Sequence, residues 1–305
     1  METLWLWIGF NALVIGLLVL DLGVFHRKTR AVSVKEAAIW SLVWISLALL
    51  FNAFIYMISG QDRAIQFLTG YLIEKSLSVD NIFIFVLIFT ALSVPPAYQH
   101  RVLFWGVLGA LIMRGLLILA GAVLLETFHW VFYIFGAFLV ITGIRMAMQK
   151  KREMQMEKNP VIRLVRRLVP VTENYEKERF FVRRAGQLMV TPLLLALVVI
   201  EVTDLVFAFD SIPAVFAVTE DPFIVYTSNV FALLGLRSLY FVFAGFIEKF
   251  YYLKIALAVI LVSVGLKMLI ADFYHVPAWL SLLVIAFVLA VALLASFIRA
   301  RRSQS

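Results

Sequence analysis

The sequence contains no cysteine, and only 15% of its 305 residues are charged. The first absence removes disulfides, thiolate metal sites, iron–sulfur clusters and thiol catalysis together, while leaving the compartment open. The second stands beside 63% hydrophobic residues and a mean hydropathy of +0.98. Soluble domains carry about 25% charge and about 45–50% apolar residues, so a water-soluble globule, a disordered chain and a coiled coil are all excluded. Histidine is scarce too. His26, His100, His129 and His275 sit near the edges of apolar runs with no ligand spacing, and none is expected to bind metal. What remains is an all-α polytopic membrane protein. Its crossings consume about 20 residues each and leave no room for a separate soluble catalytic domain. The net charge of +8 could suggest nucleic acid, but in so apolar a chain basic residues belong to loops facing anionic lipid. Lipid, not nucleic acid, is the expected partner.

Apolar runs of crossing length predict nine transmembrane helices, over residues 4–25, 36–58, 64–91, 101–124, 128–149, 188–218, 224–247, 252–272 and 277–298. The first run opens Met1-Glu2 rather than with a basic region and lacks a small-x-small cleavage pattern, so it reads as a retained helix, not a signal peptide. With the N-terminus outside, 21 Lys and Arg fall on inner connections and Arg63 alone on an outer one. The positive-inside rule therefore predicts N-out and C-in. The one long hydrophilic stretch, residues 150–187, holds Val161 to Val169 (VIRLVRRLV), which reads as a basic amphipathic segment on the inner leaflet and a topology anchor.

Two segments inside predicted spans resemble each other: EKSLSVDNIFIF (Glu74 to Phe85) and DLVFAFDSIPAV (Asp204 to Val215). In each, a carboxylate is followed six residues later by an Asp, then by Asn81 or Ser211, then by Ile. Downstream, Arg114 answers Arg237, and GIRM (Gly143 to Met146) answers GLKM (Gly265 to Met268), in the same order. The repeating unit is three helices, and an odd number inserts the second copy upside down. Inverted three-helix repeats are a transporter signature, with the site near the midplane where the repeats meet. The chain thus divides into a two-helix segment (1–63), a first repeat (64–149), a basic cytoplasmic loop (150–187), a second, inverted repeat (188–273) and a C-terminal helix with a basic tail (274–305).

Glu74, Asp80, Glu201, Asp204 and Asp210 lie well inside the third and sixth spans. Each costs about 2.5–3.5 kcal/mol at a helix centre and calls for compensation. Lys75, Arg114 and Arg237 are candidate counter-ions. They leave a surplus of about two negative charges, a match for one divalent cation or two protons. Glu201 and Asp204 share a helix face, but residues six apart are rotated by about 120°, so convergence of all five predicts helices unwound near Pro213 and beside Asn81 and Ser211. An oxygen-only donor set suits Mn²⁺, Mg²⁺ or Ca²⁺. The alternative is that the acids merely pair with Arg114, Arg237 and Lys75 as structural salt bridges, and singly the two arginines read as structural counter-ions. Asp21 and Asp272 read as interfacial caps. No nucleophile–base pair, nucleotide-binding motif or cofactor motif is present, so an enzyme is not expected.

The strings EKSLSVDNIF and IEVTDLVFAFDSIPAV resemble the two signature segments of the TerC family, and the nine-span layout with a basic central loop is similar to its longer, Alx-like bacterial members. The resemblance implies a link to tellurium resistance, kinship with the lysine-exporter superfamily of inverted-repeat transporters, and manganese export. It places the acidic motif residues on Glu74, Asp80 and Asn81, and on Glu201, Asp204, Asp210 and Ser211. An oxyanion such as tellurite would be repelled by so acidic a site, so the cation branch is the expected one. The expectation is a multi-pass transporter of a bacterial inner membrane that exports Mn²⁺ in exchange for H⁺ and holds no cofactor. A non-transporting stress-response scaffold, or a proton or amino-acid exporter, are the alternatives.

Overall fold

The computed structural model describes residues 2–25, 33–128, 130–148, 160–184, 186–244, 252–274 and 276–302. The chain is almost wholly helical: α1 (Glu2–Phe25), α2 (Val34–Ser59), α3 (Gln61–Ala91), α4 (Pro96–Thr127), α5 (Val131–Met148), α6 (Pro160–Leu168), α7 (Pro192–Phe216), α8 (Pro222–Leu234), α9 (Leu236–Phe243), α10 (Leu253–Leu269) and α11 (Ala278–Arg302). Two short strands, β1 (Phe181–Arg184) and β2 (Gln187–Val190), interrupt the series. Helices occupy all nine predicted runs, the seventh divided into α8 and α9 by a 41° bend at Gly235. Six of them, α1, α2, α4, α5, α7 and α11, are long and apolar enough to cross a bilayer, and the bent pair makes a seventh if taken as one crossing. The chain is a multi-pass integral membrane protein. Its α3 has ample length at 31 residues but carries Glu74, Lys75 and Asp80 in its apolar stretch, while α10 has 17 residues, the lower limit for a crossing.

The basic loop holds more structure than its composition suggests. Residues 150–159 lie outside the described residues; after them α6 exposes Leu164 and Leu168 together with Arg163, Arg166 and Arg167, and buries Ile162. The sixth predicted span begins too early, because residues 187–190 pair antiparallel with 181–184 and the helix starts only at Pro192. Proline suits that first helical turn, where its missing N–H would have no partner anyway. The loop is fastened to the C-terminal end of α3 and the start of α4: the Tyr175 hydroxyl donates to the Leu92 carbonyl at 2.6 Å, and Arg101 pairs with Glu178 at 3.4 Å. Burial pushes the Tyr175 phenol up to about 12, so it stays a donor through neutral pH.

Small residues set the closest helix contacts. A Cβ added to Gly265 would fall 2.7 Å from the Gly136 carbonyl, and one on Gly143 would fall 2.8 Å from that of Ala258, so α5 and α10 meet backbone to backbone. Residue 136 faces 265–269 while 143 faces 258–262, and the two helices run antiparallel. Along α4 and α7 the facing pairs rise together, Gly106 with Ile200, Gly109 with Glu201, Gly121 with Phe216, and these helices are parallel. The pair α3 and α8 is parallel as well, with Gly70 at Ser228 and Lys75 at Ala232. By contrast α3 and α7 are antiparallel, with Gly70 at Val215 and Asn81 at Asp204. A buried aromatic cluster of Phe10, Phe51, Phe67 and Phe231 ties α1, α2, α3 and α8 together, with ring centroids 5.0–6.1 Å apart. Large apolar side chains such as Trp5, Leu116 and Phe287 face outward, as lipid-facing surfaces do.

Candidate functional site

The intramembrane acids gather where α3, α4 and α7 meet, with Arg114 of α4 at their centre. Its side chain is wholly buried. One edge of the guanidinium chelates Asp204, Nε to Oδ2 at 2.9 Å and Nη2 to Oδ1 at 2.8 Å. Nη1 pairs with Glu74 Oε1 and also donates to Ser211 Oγ at 3.2 Å. Asn81 donates its amide to Asp204 Oδ1 at 3.0 Å. Glu74 Oε2 is buried without a hydrogen-bond partner among the described residues. One arginine thus ties an acid of the first motif to an acid of the second. Such planar, bidentate geometry is what arginine supplies and lysine does not.

Beside this knot lies a narrow cavity with room for about one water-sized sphere, lined by Glu74, Asp80, Asn81, Arg114, Asp210 and Ser211 and closed by Leu77, Met146, Phe207 and Leu261. Asp80 and Asp210, the second acids of the two motifs, are the carboxylates here that Arg114 does not hold. Lys254 stands near Asp80, and Asp80 and Thr142 stand near Asp210. Lys254 and Thr142 escaped the sequence reading. Thr142 stands immediately before the GIRM marker and Lys254 in the first turn of the eighth span, so position along the repeat was the available signal.

Other predicted residues stand apart. Glu201 does not line the cavity; its carboxylate lies against Gly109 of α4, with Oε2 buried and unpartnered among the described residues. Lys75 turns away to α8, where its ammonium donates to the Ala232 carbonyl at 3.2 Å and lies 5.8 Å from the centre of the Tyr71 ring. A cation there meets the free carbonyls of a helix C-terminus. Arg237 pairs with Asp21 of α1, both buried, so Asp21 is a helix-to-helix tie rather than an interfacial cap. Asp272 accepts from the Tyr133 hydroxyl at an exposed position. His100 is buried in α4, and the other three histidines lie outside the described residues. Among the described residues no three His, Asp or Glu side chains stand together as a metal-holding group.

The predicted unwinding is not found. Both α3 and α7 are continuous, with Pro213 inside α7. Pro213, in the last turn of α7, removes the N–H that would bond the Phe209 carbonyl without ending the helix there. The polar side chains expected to accompany broken segments bond across the bundle instead, Asn81 to Asp204 at 3.0 Å and Ser211 to Arg114 at 3.2 Å, while the nearby Ser78 and Thr203 hydroxyls bond back into their own helices.

The model of the integral membrane protein TerC family matches residues 59–304, which span both motifs, the arginine and the whole bundle from α3 onward. The chain belongs to the TerC family. Among similar TerC relatives, an "Uncharacterized membrane protein STKORF319" of Myxococcus xanthus is 54% identical over 98% of this chain and 93% of its own length. A "Putative membrane-bound redox modulator Alx" of Escherichia coli is 50% identical over 91% of this chain and 89% of its own. A membrane protein of Rickettsia bellii is 42% identical over 96% and 97%. No solved structure matches the chain.

Proposed function

We propose that this TerC family member is an inner-membrane transporter of nine crossings, N-terminus outside, that exports divalent cations, with Mn²⁺ as its ion and H⁺ as the exchanged partner. The carrying observation is the shared cavity: Asp80 from one motif and Asp210 from the other line it together, with Asn81, Ser211 and Glu74 as further oxygen donors. Oxygen donors alone, three of them carboxylates, are the chemistry of Mn²⁺, Mg²⁺ and Ca²⁺. The packing directions support an inverted repeat. Equivalent helices α3 and α7, and α5 and α10, are antiparallel, while α3 with α8 and α4 with α7 are parallel, as a two-fold axis in the membrane plane requires. Contacts repeat as well. Asn81 bonds Asp204, and the equivalent Ser211 meets Glu74 through their shared Arg114. Rocking of one repeat against the other would expose the cavity to each side in turn, and protonation of its carboxylates would release the ion outside.

A second reading has its own support. Arg114 already pairs with both Glu74 and Asp204, as in a purely structural ion-pair network, which favours a non-transporting membrane scaffold. The redox role named for the Escherichia coli relative could not rest on thiols in this chain, which has no cysteine. Neutralising the cavity separates the readings. Asp80→Asn or Asp210→Asn should raise cellular manganese and sensitivity to it in cells that depend on this protein. Unchanged metal content and tolerance in both variants would rule the site out. In inverted vesicles, competition by Ca²⁺ or lysine against manganese uptake tells the divalent-cation reading from an amino-acid exporter.

A further inference from the structure

Arg114 holds Glu74, one of the carboxylates lining the cavity that a transported cation would occupy. Its guanidinium bridges α3 and α7 through Glu74 and Asp204, is itself wholly buried, and forms one wall of the cavity that Asp80 and Asp210 share. A second carboxylate waits beside it. Glu201 lies one turn before Asp204 on the same face of α7 and packs over Gly109 of α4, five residues before Arg114. Because α4 and α7 are parallel, this acid sits about 7.5 Å along the helix axis from Arg114, a distance a swinging arginine side chain covers. Its Oε2 is buried and has no hydrogen-bond partner among the described residues. Gly109 is what makes the room, since a Cβ there would collide with the Glu201 carboxylate.

We infer that Arg114 is a tethered cation that competes with the transported ion. Seated on Glu74 and Asp204, it pairs two carboxylates while the exchanged protons cover Asp80 and Asp210, so the carrier can return without metal. When a divalent ion enters, Arg114 yields its seat and swings toward Glu201, whose open oxygen receives it. This rests on the transport reading above and adds to it a residue that sets the coupling. A purely structural arginine would be needed equally in every mode of transport; a tethered competitor is needed only when the carrier returns without metal.

The test uses the full-length protein in liposomes with radioactive manganese, measured as net efflux and as exchange with manganese on both sides. Wild type should show both. Arg114→Met should lower net efflux about tenfold or more relative to exchange, and should bind manganese more tightly because the internal competitor is gone; Arg114→Lys should restore part of the net flux. A parallel loss of both modes, or an unchanged ratio, in a variant with the wild-type size-exclusion profile overturns the inference alone. Should Arg114→Met not fold, Glu201→Gln decides: with no acceptor for the displaced arginine, apparent manganese affinity should fall several-fold, and an unchanged affinity overturns the swing. No flux in either mode from wild type overturns the transport reading and the inference with it.

Discussion

A buried charge is defined by its partner, and partners are what this chain's acids distribute unevenly. Glu74 and Asp204 share Arg114, Asp21 takes Arg237, and Asp80 and Asp210 are left facing the cavity. Removing one member of a buried pair strands the other, at a cost of about 3–5 kcal/mol. Asp21→Asn should therefore destabilise the protein by that amount, read as a lower thermal midpoint in detergent, whereas Asp272→Asn at its exposed position should stay within about 0.5 kcal/mol. Equal effects would mean that the Asp21–Arg237 tie is not what holds α1 to α9. That the acids sit inside helices was legible in the sequence, because charge in an apolar run is conspicuous. Their pairing was not. Arg237 finds its acid in α1, outside the repeat on which the argument was built, and Lys75 faces α8 because of a helix rotation that spacing alone does not give.

Helix contacts obey glycine here more than hydropathy. The α5–α10 seam closes through Gly136, Gly143 and Gly265, where any Cβ would meet a backbone carbonyl within about 3 Å. Gly143→Val must push the helices apart, and overpacking of this kind costs about 1–3 kcal/mol. The expected outcome is a lowered thermal midpoint, while Gly16→Val, which meets nothing, should leave it unchanged; a tolerated Gly143→Val would show that the seam is not closely packed. Nine apolar runs foretold nine helical positions because crossing length is a strong signal. The bend at Gly235 and the hairpin over residues 181–190 were hidden for opposite reasons. A 41° break leaves composition untouched, and the QLMV strand merges into the apolar run of α7 that follows it.

At the scale of the whole molecule, orientation and the cavity are one claim, because an exporter must take its ion from the side of the basic loop. The absence of cysteine makes orientation simple to measure. A single cysteine at exposed Glu220 should react with a membrane-impermeant maleimide in intact cells, and one at exposed Glu173 only after permeabilisation; the reverse pattern would invert the transporter. The cavity itself offers the more direct test. A manganese anomalous-scattering map, or a cryo-EM map with Mn²⁺ added, should show a peak between α3 and α7 about 2–2.6 Å from oxygens of Asp80 and Asp210, lost in the Asp80→Asn, Asp210→Asn double variant. A map at saturating Mn²⁺ with no density there, or with the ion bound elsewhere in both proteins, would contradict the account.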